Sequence, residues 1–199
     1  MRLFAHSCPA CEGLAGLSCA PGSGRRALLG GVLGLAALTG AAPALAAEIT
    51  GGSVRRISLR RVQTGESFSG IYWRDGHYDR AALQQLDWLM RDPLAQEATP
   101  MDPRLFDVMV AVHTRLNSQA AWEVTSGFRA PETNAARARQ SRRVSTVSLH
   151  MSGMAADCRL PDRTSLTVAR VAADMQVGGV GLYRRDGFVH LDCGPARRW

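Results

Sequence analysis

The sequence predicts an α+β fold, with helices packed on a small, mainly antiparallel sheet. Short segments in which apolar and polar residues alternate indicate strands, whereas longer segments with apolar residues at helical spacing indicate helices. The two kinds of segment are interspersed along the chain, and the sequence contains no internal repeat, coiled coil or low-complexity tract. Its 199 residues amount to one domain preceded by an appendage.

The appendage, residues 1–46, has the features of an export signal. Paired arginines at 25–26 precede an apolar run that ends at Leu38, and residues 44–46 offer a cleavage site of small residues. The paired arginines favour the twin-arginine route, although the general secretory pathway accepts a similar pattern. Because the apolar run is too short for a permanent membrane span, we expect cleavage to release a periplasmic domain, residues 47–199. A retained membrane anchor is the alternative.

Local patterns predict the first strands and the first helix of this domain. Alternation of apolar and polar residues indicates strands over 56–62 and 67–73. Asp79 is a suitable N-cap for a helix whose apolar residues recur at helical spacing as far as Met90.

The clearest helix of the chain begins at Asp102, because an aspartate N-cap is followed by proline at the first helical position. Its apolar face extends to Leu116 and includes His113, which we interpret as a core histidine rather than a metal ligand. A strand over 122–125 follows and brings the loop that starts at Ser126 to its carboxyl end.

The remainder of the chain predicts two further helices and three strands. The helices are a short, arginine-rich one over 131–140 and a longer, amphipathic one over 164–177. The strands cover 155–160, 179–183 and 188–192.

Two histidines and an aspartate form the candidate metal site. His150, Asp157 and His190 supply two nitrogens and one oxygen, the ligand set of a catalytic zinc ion whose fourth position stays open for water. Gly153 allows the backbone to bend between His150 and the strand that carries Asp157. The three residues are scattered over 41 positions, so spacing alone leaves an ordinary surface triplet as an equal alternative.

Four motifs surround this triplet: 126–134, 148–157, 178–183 and 188–192. In their residues and in their order along the chain, these motifs resemble the zinc D-alanyl-D-alanine peptidases, the family that contains the VanX-type dipeptidases. Within that family they are most similar to the MepK-type murein endopeptidases. The resemblance covers most of the chain from about Ile57 to Trp199, including the Arg-Arg-Trp ending.

The resemblance implies a fold, an activity and a location. The fold is like that of hedgehog domains and DD-peptidases, and the activity is zinc-dependent hydrolysis of peptide cross-links in peptidoglycan by metal-activated water. We then expect an exported monomer whose activity is that of an endopeptidase in preference to a carboxypeptidase. Hedgehog domains carry zinc on the same fold without an established peptidase role, so a catalytically inactive, zinc-containing cell-wall binding module is the alternative.

Arg129 is the candidate for stabilising the oxyanion, because its guanidinium offers a rigid fork of donors suited to an oxyanion or a substrate carboxylate. In the family, the arginine of the matching Ser-Gly-Tyr-Arg motif has that role, and Phe128 stands in place of the tyrosine here. An ion pair with a carboxylate such as Glu132 is the structural alternative for this arginine. Ser126, Ser148 and Asn134 are expected to support the site through hydrogen bonds.

The general base departs from the family pattern. VanX-type enzymes carry a glutamate three residues before the second zinc histidine, where this chain has Gly187. Asp192 shares a strand face with His190, and Asp186 lies on the preceding turn. We predict Asp192 as the base ahead of Asp186, and the alternative for Asp192 is a carboxylate that only orients a ligand histidine.

Every basic side chain besides histidine is arginine, and the formal net charge is +7. Positive charge suits work beside an anionic polymer such as a cell wall, although a solvated basic surface explains most of these arginines. They are dispersed and accompany no nucleic-acid recognition motif, so we expect peptidoglycan peptides rather than nucleic acid as partners.

The cysteines fall into two groups. Cys8, Cys11 and Cys19 precede the apolar run of the signal, and we assign them no function. Cys158 and Cys193 follow Asp157 and Asp192, and we expect two buried thiols, with a disulfide as the alternative.

Overall fold

A computed structural model of the chain describes residues 53–141 and 144–199. The predicted export signal lies outside the described residues. The described helices are α1 (Arg80–Leu89), α2 (Pro103–Arg115), α3 (Pro131–Gln140) and α4 (Ser165–Met175), and Leu149–Ser152 is a 3-10 turn. The strands are β1 (Val54–Arg61), β2 (Ser67–Arg74), β3 (His77–Tyr78), β4 (Trp122–Ser126), β5 (Ala155–Arg159), β6 (Gly179–Tyr183), β7 (Phe188–Asp192) and β8 (Arg197–Arg198).

The strands form one mixed sheet in the order β3-β2-β1-β4-β5-β7-β6-β8. Most neighbouring pairs are antiparallel, but β1 and β4 are parallel, as are β6 and β8. The predicted α+β class is confirmed, whereas the sheet is larger and more mixed than predicted. The reason is that β3 and β8 have two residues each, too few to leave an alternating pattern in the sequence.

Both predicted helix caps are confirmed. The Asp79 carboxylate accepts a hydrogen bond from the Ala82 N–H at 3.0 Å, and the Asp102 carboxylate accepts one from the Arg104 N–H, also at 3.0 Å. Each cap satisfies a backbone donor that the first turn of a helix leaves without an intrahelical partner. None of the described helices is long and apolar enough to cross a membrane.

Helix α2 supplies much of the core and packs against α4, β1 and β7. Its fully buried apolar side chains are Leu105, Phe106, Met109 and Val112. His113 is half-buried beside them, with its Nε2 atom 2.8 Å from the Ala120 carbonyl oxygen and its ring 6.2 Å from the Trp122 ring. The interpretation of His113 as a structural histidine is therefore confirmed. The packing of α2 against β7 also holds in place the strand that carries His190.

Candidate metal centre

Ligand atoms of His150, Asp157 and His190 converge on one point. His150 Nε2 lies 3.2 Å from His190 Nδ1, and Asp157 Oδ1 lies 3.0 Å from His190 Nδ1 and 3.3 Å from His150 Nε2. Zinc ligands lie about 2.0–2.1 Å from the ion, so a tetrahedral site places neighbouring ligand atoms roughly 3.3–3.4 Å apart. The triangle therefore has the size of one face of a zinc tetrahedron.

The sheet register brings two of these ligands together. Asp157 on β5 is the direct cross-strand partner of His190 on β7, and Ser126 on β4 is the partner of Asp157 on its other side. Gly181 on β6 pairs with His190 and completes a row of residues across four strands. Paired residues on neighbouring strands lie about 4.5–5.5 Å apart, which is why short side chains reach a shared ion here.

The third ligand, His150, comes from the 3-10 turn. Ser148 caps this turn, and its hydroxyl accepts the His150 N–H at 3.4 Å. Gly153 ends the turn with φ +66, in the left-handed region, and a Cβ there would lie 2.7 Å from the Pro100 carbonyl oxygen. Glycine is thus required where the chain bends towards β5.

In each histidine, the ring nitrogen that faces away from the cluster donates a hydrogen bond to an oxygen that the fold holds in place. His150 Nδ1–H donates to the Gly127 carbonyl at 2.7 Å, and His190 Nε2–H donates to Asp192 Oδ2 at 3.1 Å. These bonds select the tautomers and leave His150 Nε2 and His190 Nδ1 as acceptors that face the cluster.

Asp192 is completely buried behind His190, on the side away from the other two ligands. It accepts hydrogen bonds from the Gly179 and Gly194 N–H groups at 3.0 and 2.9 Å, and a two-pronged bond from Arg197 at 2.7 and 3.1 Å. Burial alone would raise the pKa of Asp192, but the bonds from His190, Arg197 and the amides outweigh burial and lower it. A charged, fully bonded carboxylate in this place matches the orienting alternative rather than the predicted base.

Asp186, the other predicted base, is exposed on the turn between β6 and β7. Its backbone N–H donates to the Tyr183 carbonyl at 3.2 Å, and its side chain does not line the cavity in front of the ligands. Among the described residues, Asp157 is the sole acidic residue that lines this cavity.

Arg129 lies beside the ligand triangle and is buried. Its guanidinium donates to Asn134 Oδ1 at 3.0 Å and to Ser126 Oγ at 3.3 Å, and one nitrogen lies 3.6 Å from Asp157 Oδ2. The carboxylate nearby is therefore Asp157, whereas Glu132 is exposed on α3. Burial lowers the pKa of Arg129, against the attraction of Asp157.

Sequence reasoning assigned no role to several residues of the cavity, which has a volume of about 310 Å³, and three of them contribute charge or an aromatic ring. Trp199 packs with its ring 5.2 Å from the His190 ring, Arg197 donates hydrogen bonds to Asp192, and Arg137 also lines the cavity. A Cβ at Gly181 would lie 2.7 Å from the Trp199 indole, so glycine is needed where the tail crosses β6. The Arg-Arg-Trp ending was the one feature of the sequence that indicated this arrangement. Its spacing from the other motifs did not predict where these side chains lie.

Cys158 and Cys193 are free thiols in the structure, as predicted. Cys158 is buried, whereas Cys193 is only half-buried and has its Sγ atom 3.6 Å from the Met154 carbonyl oxygen. Burial raises the pKa of Cys193 to about 12, so both sulfurs are protonated at neutral pH.

Comparisons with known proteins give a consistent family. Residues 49–199 match the model of the family Peptidase_M15_2, described as peptidoglycan L,D-endopeptidase MepK. The "Probable peptidoglycan L,D-endopeptidase MepK" of Haemophilus influenzae is 38% identical over 146 residues, which cover 73% of this chain and 78% of that protein. The peptidoglycan L,D-endopeptidase MepK of Escherichia coli K12 is 34% identical over 145 residues, covering 73% and 80% respectively. No solved structure matches the chain at a significant level.

Proposed function

The chain belongs to the family of the peptidoglycan L,D-endopeptidase MepK, and we infer that it is a peptidoglycan endopeptidase that hydrolyses peptide cross-links. We further propose that its activity depends on zinc and is directed at L,D bonds. The observation that carries the zinc proposal is the triangle of ligand atoms, whose edges measure 3.0–3.3 Å. Two neutral imidazoles and one carboxylate are donors that catalytic zinc sites use.

Zinc held by His150, Asp157 and His190 would supply Lewis-acid chemistry for amide hydrolysis. The contribution of the protein is to fix the donors before the ion arrives. The Gly127 carbonyl and Asp192 orient the two imidazoles, and the pairing of β5 with β7 fixes Asp157. Because no ligand has to change rotamer or tautomer, little ordering entropy remains to be lost on binding.

We propose that Arg129 stabilises the negative charge that develops on the oxygen of the scissile carbonyl. Ser126 and Asn134 already hold its guanidinium in place, so its donors need no reorganisation during the reaction. Its position 3.6 Å from Asp157 places this positive charge next to the ligand set. We assign Asp192 the role of orienting His190, because its bonds run to the far side of that ring.

The substrate and the location follow from the same proposal. We propose that the mature domain acts in the periplasm as a monomer on peptidoglycan peptides, with export by the predicted twin-arginine signal. We also propose that its sheet and helices form the hedgehog/DD-peptidase type of fold, which the α+β class and the order of the four motifs support.

A zinc-containing cell-wall binding module is the second candidate function. One observation favours it: among the described residues, no acidic side chain besides the ligand Asp157 lines the cavity, so a conventional carboxylate base is missing there. Under this alternative the site would hold zinc and wall peptides without turnover.

Incubation of the mature protein, residues 47–199, with isolated murein sacculi distinguishes the two candidates. We expect soluble muropeptides to be released, the release to stop after chelation, and stoichiometric zinc to restore it. Zinc-loaded protein that binds sacculi without releasing peptides would favour the binding module. Release that persists after complete removal of metal would overturn the zinc dependence.

A further inference from the structure

Arg137 lies on α3 at the edge of the metal cavity and has no bonded partner among the described residues. Its half-buried side chain lines the cavity together with Arg129 and Trp199. No hydrogen bond or ion pair joins its guanidinium to any part of the chain within 53–141 and 144–199. Arg139, two residues further along the same helix, is exposed and does not line the cavity.

Among the described residues, the side chains of three arginines, Arg129, Arg137 and Arg197, line the cavity, against one acidic side chain, Asp157. Burial is the main cause that lowers the pKa of Arg129, and repulsion by Arg137 lowers it further, against the attraction of Asp157. Arg61, also buried, has its pKa lowered to about 10 by burial and by its arginine neighbours, Arg137 among them. The guanidinium of Arg137 is therefore close enough to both to repel them.

Unused hydrogen-bond donors accompany this charge. The Nε atom of Arg129 is buried without a hydrogen-bond partner among the described residues, and so are the Nε and Nη1 atoms of Arg61, which does not itself line the cavity. Asp157, the one acidic side chain that lines the cavity among the described residues, lies within hydrogen-bond distance of a histidine nitrogen and belongs to the ligand triangle. A divalent ion there would add further positive charge, so an anionic ligand is the group that this wall fits.

We propose that Arg137 binds a free carboxylate of the substrate peptide and thereby selects cross-linked peptides that carry one. This proposal rests on the proposed endopeptidase function. A cross-link that joins the carbonyl of one peptide to a side-chain amine of another leaves the second peptide with its own terminal carboxylate. The planar guanidinium of arginine binds carboxylates through two parallel hydrogen bonds, which suits recognition of such a group.

The test uses a pair of cross-linked peptides that differ only in whether this carboxylate is free or amidated. The kcat/KM of the wild-type protein, Arg137→Gln and Arg139→Gln is measured for both, together with the zinc content and the melting temperature of each protein. Loss of a hydrogen bond to a charged group should lower the kcat/KM of Arg137→Gln for the free acid by about 10- to 100-fold. The amidated peptide should be a correspondingly poor substrate of the wild type and lose little more with Arg137→Gln, and Arg139→Gln should behave as the wild type.

Each other outcome has a definite meaning. Equal losses on both peptides would overturn the carboxylate proposal and indicate a general effect of charge or packing, and so would equal wild-type rates on the two peptides. Hydrolysis of neither peptide by zinc-loaded wild-type protein would overturn the endopeptidase function and the subsite with it. Unchanged zinc content and melting temperature in Arg137→Gln show that a measured loss does not arise from unfolding.

Discussion

Asp157 and His190 are direct partners in the register of β5 and β7, and Asp157 Oδ1 lies 3.0 Å from His190 Nδ1. A ladder of backbone hydrogen bonds therefore sets the separation of two of the three candidate ligands. The third ligand is tied to the same frame, because the Arg129 N–H donates to the His150 carbonyl at 3.2 Å. The site is preorganised by backbone pairing rather than by flexible side chains, and this gives the effects of substitution a clear direction.

Replacement of any single ligand should remove metal and activity together. His150→Ala, Asp157→Ala and His190→Ala each leave two donors, too few for a stable zinc site, so the zinc content should fall from about one ion per chain to near zero. Metal analysis of the purified proteins measures this directly. His77→Ala is the matched control, because His77 is exposed and outside the cluster. A His190→Ala protein that keeps a full equivalent of zinc would refute the ligand set.

Zinc affinity should fall as the pH is lowered, because His190 must lose a proton to bind the metal. Burial alone would lower the pKa of His190, but hydrogen bonds to Asp157 and Asp192 outweigh burial and raise it above the ordinary 6.5. Protonated His190 predominates below that raised value, so competition with zinc begins at a higher pH than for an ordinary histidine. Without metal, the same shift adds stability that is fully present below the unfolded pKa and is lost as the pH rises through the folded one.

Isothermal titration calorimetry in buffers of different ionisation enthalpy would count the protons released on zinc binding. We expect proton release to increase as the pH falls from about 8 to about 6. Zinc affinity that stays constant over this interval would contradict the prediction.

Local patterns in the sequence were sufficient for most of the secondary structure and for choosing three residues whose potential ligand atoms converge in the structure. Asp79 and Asp102 predicted where two helices begin, because capping depends on a few adjacent residues. The alternation of side chains along a strand also predicted that His190 and Asp192 lie on one face. In the structure, His190 Nε2 lies 3.1 Å from Asp192 Oδ2.

The pairing of distant strands could not be predicted in the same way. Nothing in the local pattern of β5 specifies that β7 is its neighbour, and the two-residue strand β8 leaves no pattern at all. The orienting role proposed for Asp192 rests on its contacts with Gly179 and Arg197, which the parallel pairing of β6 and β8 brings together. The alternation of side chains along the strand predicted the face of Asp192 correctly, but it could not distinguish a carboxylate that orients a histidine from a general base.

Arg129→Gln should lower kcat by about 10²–10³-fold, the loss typical of removing a donor to an oxyanion, while zinc stays bound. The glutamine keeps a polar head that can bond to Asn134 but lacks the charge and the fork of donors. Arg184→Gln, on the exposed turn after β6, is the control. Near wild-type kcat in a zinc-loaded Arg129→Gln protein would remove Arg129 from the mechanism.

Asp192→Asn and Asp186→Asn separate the orienting role from the base. Loss of an orienting carboxylate should weaken zinc binding by about 10- to 100-fold. Loss of a base should instead lower turnover by about 10²–10⁴-fold with zinc affinity unchanged. We expect the first result for Asp192→Asn and no change for Asp186→Asn. If Asp186→Asn lost turnover with metal bound, the base would be Asp186.

Trp199→Ala should weaken substrate binding while leaving the metal site loaded. The Trp199 N–H donates to the Val180 carbonyl at 3.2 Å, and its carbonyl accepts the Leu182 N–H at 3.1 Å, so the tail stays attached without the indole. The lost group is the aromatic wall against His190, a contact whose removal should raise KM by about 5- to 10-fold.

Steady-state kinetics on a defined muropeptide, with metal analysis, measures both effects of this substitution. Trp88→Ala is the matched control, because Trp88 on α1 is 51% exposed against 54% for Trp199 and does not line the cavity. Trp199→Phe retains an aromatic ring over His190 and should recover most of the lost affinity. A Trp199→Ala protein with unchanged KM would show that substrate does not contact this wall. Loss of zinc in the same variant would show that the indole supports the ligand itself.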